Sequence, residues 1–263
     1  MNQPPAFVRS WGSGPTLLCV HGLGGGAHFF SGLGPLLADR WRVVAVDLPG
    51  SGFDPSPRPF SFDGAAQSIV DWIRRDGCGR ACLVGHSLGT IVALEVIRHA
   101  PELVSGFIAV GGLPEARPDA RIRIAGRRDH VRQHGLGGLG DGVAAANMSR
   151  RTCEERPELV GLFSRLFEQQ NASAYASMAD ALVEWTARPL PPLDTVPCLV
   201  LTGDEDAYAP PDDVRAFAAT LPQGTRVEIL RDCGHLPFLE RPDSCAAVVA
   251  RTLESWNPVL TRP

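Results

Sequence analysis

A chain of 263 residues, 44% hydrophobic and 21% charged, has the size and composition of one globular domain, or of one domain carrying an insertion. Its formal net charge of −4 offers no basic field for nucleic acid or anionic lipid. No lysine occurs anywhere, which excludes Schiff-base chemistry and a lysine-bearing phosphate loop.

The seven cysteines are odd in number, scattered and without a CxxC pair, so neither a disulfide framework nor a zinc site is expected, and a reduced cytoplasm is the default location. Residues 1–5 lack the basic and apolar pattern of a signal peptide, and no apolar run approaches the ~18 residues of a membrane span.

Taken in order, residues 6–11 read as a first edge strand. Residues 16–20 are continuously apolar, as a strand buried on both faces of a parallel sheet requires. They run into His21-Gly22-Leu23-Gly24-Gly25-Gly26, and a short helix through Leu33, Leu36 and Leu37 follows. A strand over 41–46 stops at Asp47-Leu48-Pro49-Gly50. A proline-rich loop at 55–59 leads to a helix over 63–75, in which Ala66, Ile69, Val70 and Ile73 share one face. Residues 81–84 form a buried strand, 88–99 a helix ended by Pro101, and 107–110 a further strand.

There the alternation stops. From 113 to 192 the chain is arginine-rich, polar and helix-like, with weak helical periods at 160–167 and 175–185. Alternation resumes with a strand at 198–201, a helix over 214–221, a strand at 226–230 and a closing helix over 244–256. This order predicts the α/β class, with a mostly parallel, doubly wound sheet. It divides the chain into a core, 1–112 and 193–263, and a helical cap, 113–192, inserted between two strands. The cap is expected at the strands' carboxyl end, where open α/β sheets bind ligands.

The stretch Gly85-His86-Ser87-Leu88-Gly89 joins strand to helix within about one residue. Such a turn crowds its neighbours unless they lack a Cβ, and it leaves the Ser87 hydroxyl exposed at the strand tip with a helix N-terminus behind it. A serine nucleophile needs a base, and the base needs an orienting acid. Two later strand tips offer them: Asp206 after Gly203, and His235 after Gly234. The chain order is serine, acid, histidine.

These features resemble the α/β-hydrolase superfamily, in its serine-nucleophile branch with a helical cap. The resemblance spans nearly the whole chain and rests on His21-Gly22, the serine turn, the Gly203 to Pro210 loop and the Gly234 to Pro242 segment. It implies Ser87 as nucleophile, Asp206 as orienting acid, His235 as general base, and the backbone N–H groups of Leu23 and Leu88 as the oxyanion hole, with no cofactor and no metal. A serine at the nucleophile position sets aside the dehalogenase and epoxide-hydrolase branches. The spacing through the cap is similar to 3-oxoadipate enol-lactonases and related small-ester hydrolases. That implies a small-molecule ester or lactone as substrate, and no nucleic-acid or membrane partner. Candidate pocket residues are Phe29, Arg127 or Arg128 for a carboxylate, and Met148, Tyr175 and Trp185 for apolar surface.

Bland readings stand beside these. Asp204, Glu205 and Glu115 compete for the acid role, and Asp232 suits a turn cap. His86 reads as packing, His21 as ordering the oxyanion loop. His130 and His134 have a helical zinc spacing but no third ligand. The arginines 121, 123, 127, 128 and 132 read more simply as a solvated helix face than as an anion site. The run from Gly22 to Ala27, with Asp47 some 20 residues on, also fits the outline of a dinucleotide fingerprint. Alternative functions on the same triad are acyl transfer, perhydrolysis and carbon–carbon cleavage. A non-catalytic receptor on the same fold is a further alternative.

Overall fold

The structure, a computed structural model, describes residues 8–54 and 59–260. Residues 6–7 of the expected first strand, the 55–58 part of the proline-rich loop and the segment 1–5 lie outside the described residues.

Strand β1 (Val8–Trp11) is followed by β2 (Thr16–Val20), the short helix α1 (Gly34–Leu37), β3 (Arg42–Val46), α2 (Phe62–Asp76), β4 (Ala81–His86), α3 (Leu88–His99) and β5 (Val104–Val110). Five helices then intervene: α4 (Pro118–His134), α5 (Gly140–Asn147), α6 (Arg150–Glu155), α7 (Pro157–Glu168) and α8 (Ala172–Glu184). The chain returns to β6 (Cys198–Gly203), α9 (Pro211–Ala219), β7 (Arg226–Leu230), α10 (Pro237–Glu240) and α11 (Pro242–Leu260).

The strands form one sheet in the order β1-β3-β2-β4-β5-β6-β7, in which only β1 runs antiparallel to its neighbour. Every residue of β2, β4, β5 and β6 is buried, which is why these strands read as unbroken apolar runs. The edge strands β1 and β7 are only partly covered. Strand order reverses between β3 and β4, so right-handed crossovers send α1 to one face and α2 and α3 to the other. Accordingly α2 packs on α3, and α11 packs on α1. The tips of β2 and β4 stand side by side, with Val20 opposite Gly85. That switch point is where a doubly wound sheet opens a crevice for ligands.

Helix ends follow local chemistry. Ser61 caps α2 by accepting from the Gly64 N–H, and Gly77, at φ 74°, closes it in the left-handed region. Ser149 and Asn171 cap α6 and α8 in the same way. Among the described residues no helix is long and apolar enough to cross a membrane.

Candidate active site

The serine turn takes its shape from steric necessity. Ser87 sits at φ 51° and ψ −120°, in a region L residues rarely adopt, between the last residue of β4 and the first of α3. Its N–H donates to Val110 O at 3.0 Å, and its own carbonyl accepts from Thr90 N at 2.9 Å. A Cβ on Gly89 would collide with the Val20 carbonyl oxygen, and one on Gly22 would lie 2.8 Å from the Ser87 Cβ. Glycine at both places lets the β2 loop lie directly against the serine.

Asp206 and His235 meet. The carboxylate oxygens lie 2.9 and 2.8 Å from His235 Nδ1. Asp206 Oδ1 also accepts from the Tyr208 and Ala209 N–H groups at 2.8 and 2.9 Å, and the Thr202 hydroxyl lies 2.9 Å from Oδ2. Burial works to raise this carboxyl, but the His235 charge and these hydrogen bonds outweigh it, and the pKa falls below the ordinary carboxylate value. An ionised Asp206 keeps the imidazole proton on Nδ1 and leaves the Nε2 lone pair free.

The main chain of His235 is fixed as firmly as its ring. Its N–H donates to Asn147 O at 2.7 Å, and its carbonyl accepts from His86 Nε2 at 2.9 Å. Burial, then the His235 charge, pushes the His86 pKa well below the usual histidine value, so His86 stays neutral and serves as a tie. Ser87 and His235 line one cavity. No hydrogen bond joins the hydroxyl to the imidazole among the described residues, and such contacts often tighten only when substrate binds.

The loop after β2 is ordered by His21. Its Nδ1 lies 2.8 Å from Gly22 O, and its Nε2 accepts from the Leu48 N–H at 3.0 Å. That pattern requires a neutral ring, and burial pushes the His21 pKa down to about 4. Leu88 and Leu23 line two different cavities that both include Ser87. The Leu88 N–H belongs to the first turn of α3, whose donors have no partner inside the helix.

Two lobes meet at the serine, enclosing about 370 and 450 Å³ of empty space, open mouths included. Phe29, Arg127 and Tyr175 line the second lobe together with Ser87 and His235. Phe29 stacks on Phe163 at 5.8 Å, whereas Phe30 is fully buried against Phe238.

Two expected pocket residues are elsewhere. Trp185 lies beyond the end of α8 in extended backbone, donates Nε1–H to Pro114 O at 3.0 Å and packs on Phe62. It borders an outer cleft, and Leu182, still on the helix, lines both lobes instead. Met148 is buried but leaves α5 in extended backbone and lines neither lobe; its neighbour Asn147 does.

The competing readings have plain local explanations. Asp204 accepts from Cys233 N, Glu205 from Arg150 N, and Glu115 from Arg121 and Ala187 N, so none faces the imidazole. Asp232 pairs with Arg151 at 2.9 Å. The segment after Gly26 is a 3-10 turn (Ala27–Ser31), not the helix whose N-terminus would hold a pyrophosphate. The Asp47 carboxylate is occupied by the Ala27 and Phe53 N–H groups at 2.6 and 2.8 Å.

Asp63, Glu95 and His99 bring one ligand atom each within 4.8 Å, but the Arg188 guanidinium already bridges Asp63 and Glu95 at 3.1 and 2.7 Å. The His130 and His134 rings lie 4.6 Å apart on α4.

Three site residues escaped the sequence reading. Tyr208, whose ring lies 4.9 Å from His235, sits two places after Asp206 in the same loop, so proximity could have flagged it. Asn147, whose carbonyl accepts from His235 N, and Glu240, whose buried carboxylate accepts from the Gly234 and Leu236 N–H groups at 2.9 and 3.2 Å, carry no signal in the sequence because their partners are backbone groups.

Fold and site together define one class of protein. Residues 17–248 match the alpha/beta hydrolase family, and the chain belongs to it. It is 28% identical over 242 residues to a pimeloyl-(acyl-carrier protein) methyl ester esterase of Neisseria meningitidis, covering 87% of this chain and 90% of that protein. A thermophilic esterase from Thermogutta terrifontis superposes with a TM-score of 0.85 at 24% identity, over 95% of this chain and 93% of that one. The enol-lactonase from Burkholderia xenovorans superposes with a TM-score of 0.86 at 21% identity, over 94% and 96%. At these identities the two structures speak for the fold alone.

Proposed function

We propose that this chain is a serine hydrolase that cleaves a small carboxylic ester or lactone through an acyl-enzyme. The observation that carries this reading is the Asp206 carboxylate 2.8 Å from His235 Nδ1, with His235 and the strained Ser87 lining one cavity.

In this mechanism Ser87 Oγ attacks the ester carbonyl carbon while His235 Nε2 takes its proton. The carbonyl oxygen becomes an oxyanion facing the Leu23 and Leu88 N–H groups, and each such donor contributes about 3 kcal/mol to the barrier reduction. Collapse breaks the carbon–oxygen bond to the leaving alkoxide, which takes the proton back from His235. For a lactone, that hydroxyl stays tethered to the acyl group. Water then repeats the sequence, releasing the acid and restoring Ser87. In this reading residues 113–192 act as a cap that closes over the serine and shields the acyl-enzyme.

A fluorophosphonate probe with peptide mapping tests it, alongside turnover on a panel of esters and lactones of graded acyl length. The expected result is labelling at Ser87, and a loss of at least about a thousandfold in kcat in Ser87→Ala. Undiminished turnover in Ser87→Ala would overturn the assignment.

A further inference from the structure

The arginine row on α4 is not uniform. Arg121 pairs with Glu115, Arg123 with Asp119, Arg128 with Asp129 and Asp180, and Arg132 with Asp180. Arg127 differs. Among the described residues no carboxylate pairs with it, and its one hydrogen bond runs from a guanidinium N–H to the Tyr208 hydroxyl at 3.3 Å. Its Nε is buried without a partner, and so is the Tyr175 hydroxyl. Both side chains line the lobe that holds Ser87 and His235, and no acidic side chain lines that lobe.

A guanidinium withdrawn from water without a counter-charge is costly, and buried charges are ordinarily paired. Here the unpaired charge faces the reaction cavity, next to a second polar group that also lacks a partner. The donors suit a planar anion: guanidinium N–H groups and the Tyr175 O–H in this lobe, beside the Tyr208 O–H, which lines the adjoining lobe and keeps its own proton while accepting from Arg127. Burial pushes the Tyr175 pKa up to about 12, so that hydroxyl remains a donor at neutral pH.

We propose that Arg127, with the Tyr175 and Tyr208 hydroxyls, binds a second carboxylate on the substrate that is not cleaved. The preferred substrates are then short half-esters of dicarboxylic acids, or lactones bearing a free carboxylate. Arg128 plays no such part, being bound to Asp129 and Asp180. This inference rests on the serine-hydrolase reading for the position of the scissile bond, while the anion subsite itself does not depend on it.

The test compares monomethyl esters of malonic, succinic, glutaric and adipic acids with the same esters carrying a primary carboxamide in place of the free acid. Shape is kept and charge removed. At one or two chain lengths the native protein is expected to prefer the acid by about tenfold to a hundredfold in kcat/KM, chiefly through KM. That ratio should collapse towards one in Arg127→Gln, persist in part in Arg127→Lys, and shrink several-fold in Tyr175→Phe. Absence of any preference at every chain length, or a fall that strikes acid and amide equally in Arg127→Gln, overturns the proposal.

Calorimetric binding of the same pairs to Ser87→Ala separates the two readings. If fluorophosphonate leaves Ser87 unlabelled, the hydrolase reading fails. Tighter binding of acid than amide still upholds the subsite, and equal binding removes it.

Discussion

Asp206 shows how much one side chain decides. Asp206→Asn would keep an oxygen for the Tyr208 and Ala209 N–H groups, but it would turn an amide NH2 towards His235 Nδ1. The ring would then carry its proton on the wrong nitrogen and could not accept from serine. We expect kcat to fall by about three to four orders of magnitude with little loss of folded protein, measured by ester turnover beside circular dichroism. The three residues of the proposed triad could be proposed from the sequence because each lies within three residues of a glycine in the turn or loop after a strand, in segments that resemble the hydrolase family. Pocket side chains were less legible. Met148 and Trp185 each fall one residue beyond a helix end, and there a single extended residue turns the side chain away from the face that periodicity predicts. Arg127 could not be told from Arg128 by spacing alone, since only packing separates the cavity side of α4 from its ion-paired side.

Between elements, the junction of α5 and α6 is joined to the loop after β7. Asn147 O accepts from His235 N, the Ser149 hydroxyl donates to Asp232 O, and the buried Glu240 carboxylate accepts from Ser149, Gly234 and Leu236 N–H groups at 2.7, 2.9 and 3.2 Å. The helices between β5 and β6 therefore touch the loop that carries His235. Glu240→Gln would set an amide NH2 against one of these N–H groups, leaving a buried donor unsatisfied at a cost of about 1–3 kcal/mol. The expected outcome is a lower melting temperature, faster hydrogen exchange at Ser149, Gly234 and Leu236, and reduced kcat. Unchanged exchange at those amides would argue against the tie. Periodicity located α7 and α8, and the break in alternation fell where five helices separate β5 from β6. The clamp was illegible because each of its side chains, Glu240 and Ser149, bonds to peptide groups, which every residue carries and no spacing singles out.

For the molecule as a whole, pH acts through buried neutral imidazoles. His21 and His28 are pushed down to about 4, chiefly by burial, and burial, then the His235 charge, also holds His86 well below the usual histidine value. A depressed folded-state value means that this stability is fully present above about 6.5 and is lost as the pH falls towards 4, because the unfolded chain takes up the protons first. His21 alone accounts for roughly 3 kcal/mol across that window. Asp47, raised by burial, works in the opposite sense. Asp63 and Asp76, held low by Arg188 and Arg42, lose their contribution only below the ordinary carboxylate range. The melting temperature should thus begin to drop near pH 6.5 and fall steeply by pH 5; a flat curve to pH 5 would contradict neutral burial of these rings. The sheet was legible in its apolar centres, because parallel strands covered on both faces are mostly apolar; the strand ends carrying His86, Ser105 and Thr202 fell outside the expected spans because those buried positions are polar. Ser87, the proposed nucleophile, finally, occupies a backbone conformation that costs a non-glycine residue about 1–3 kcal/mol, a noticeable share of the few kcal/mol by which most domains remain folded. Glycine would relieve that discomfort and, on the proposed mechanism, abolish the reaction in the same stroke. The position is therefore one where sturdiness and usefulness pull against each other, and the rigid neighbourhood around it exists to hold an unfavourable pose open.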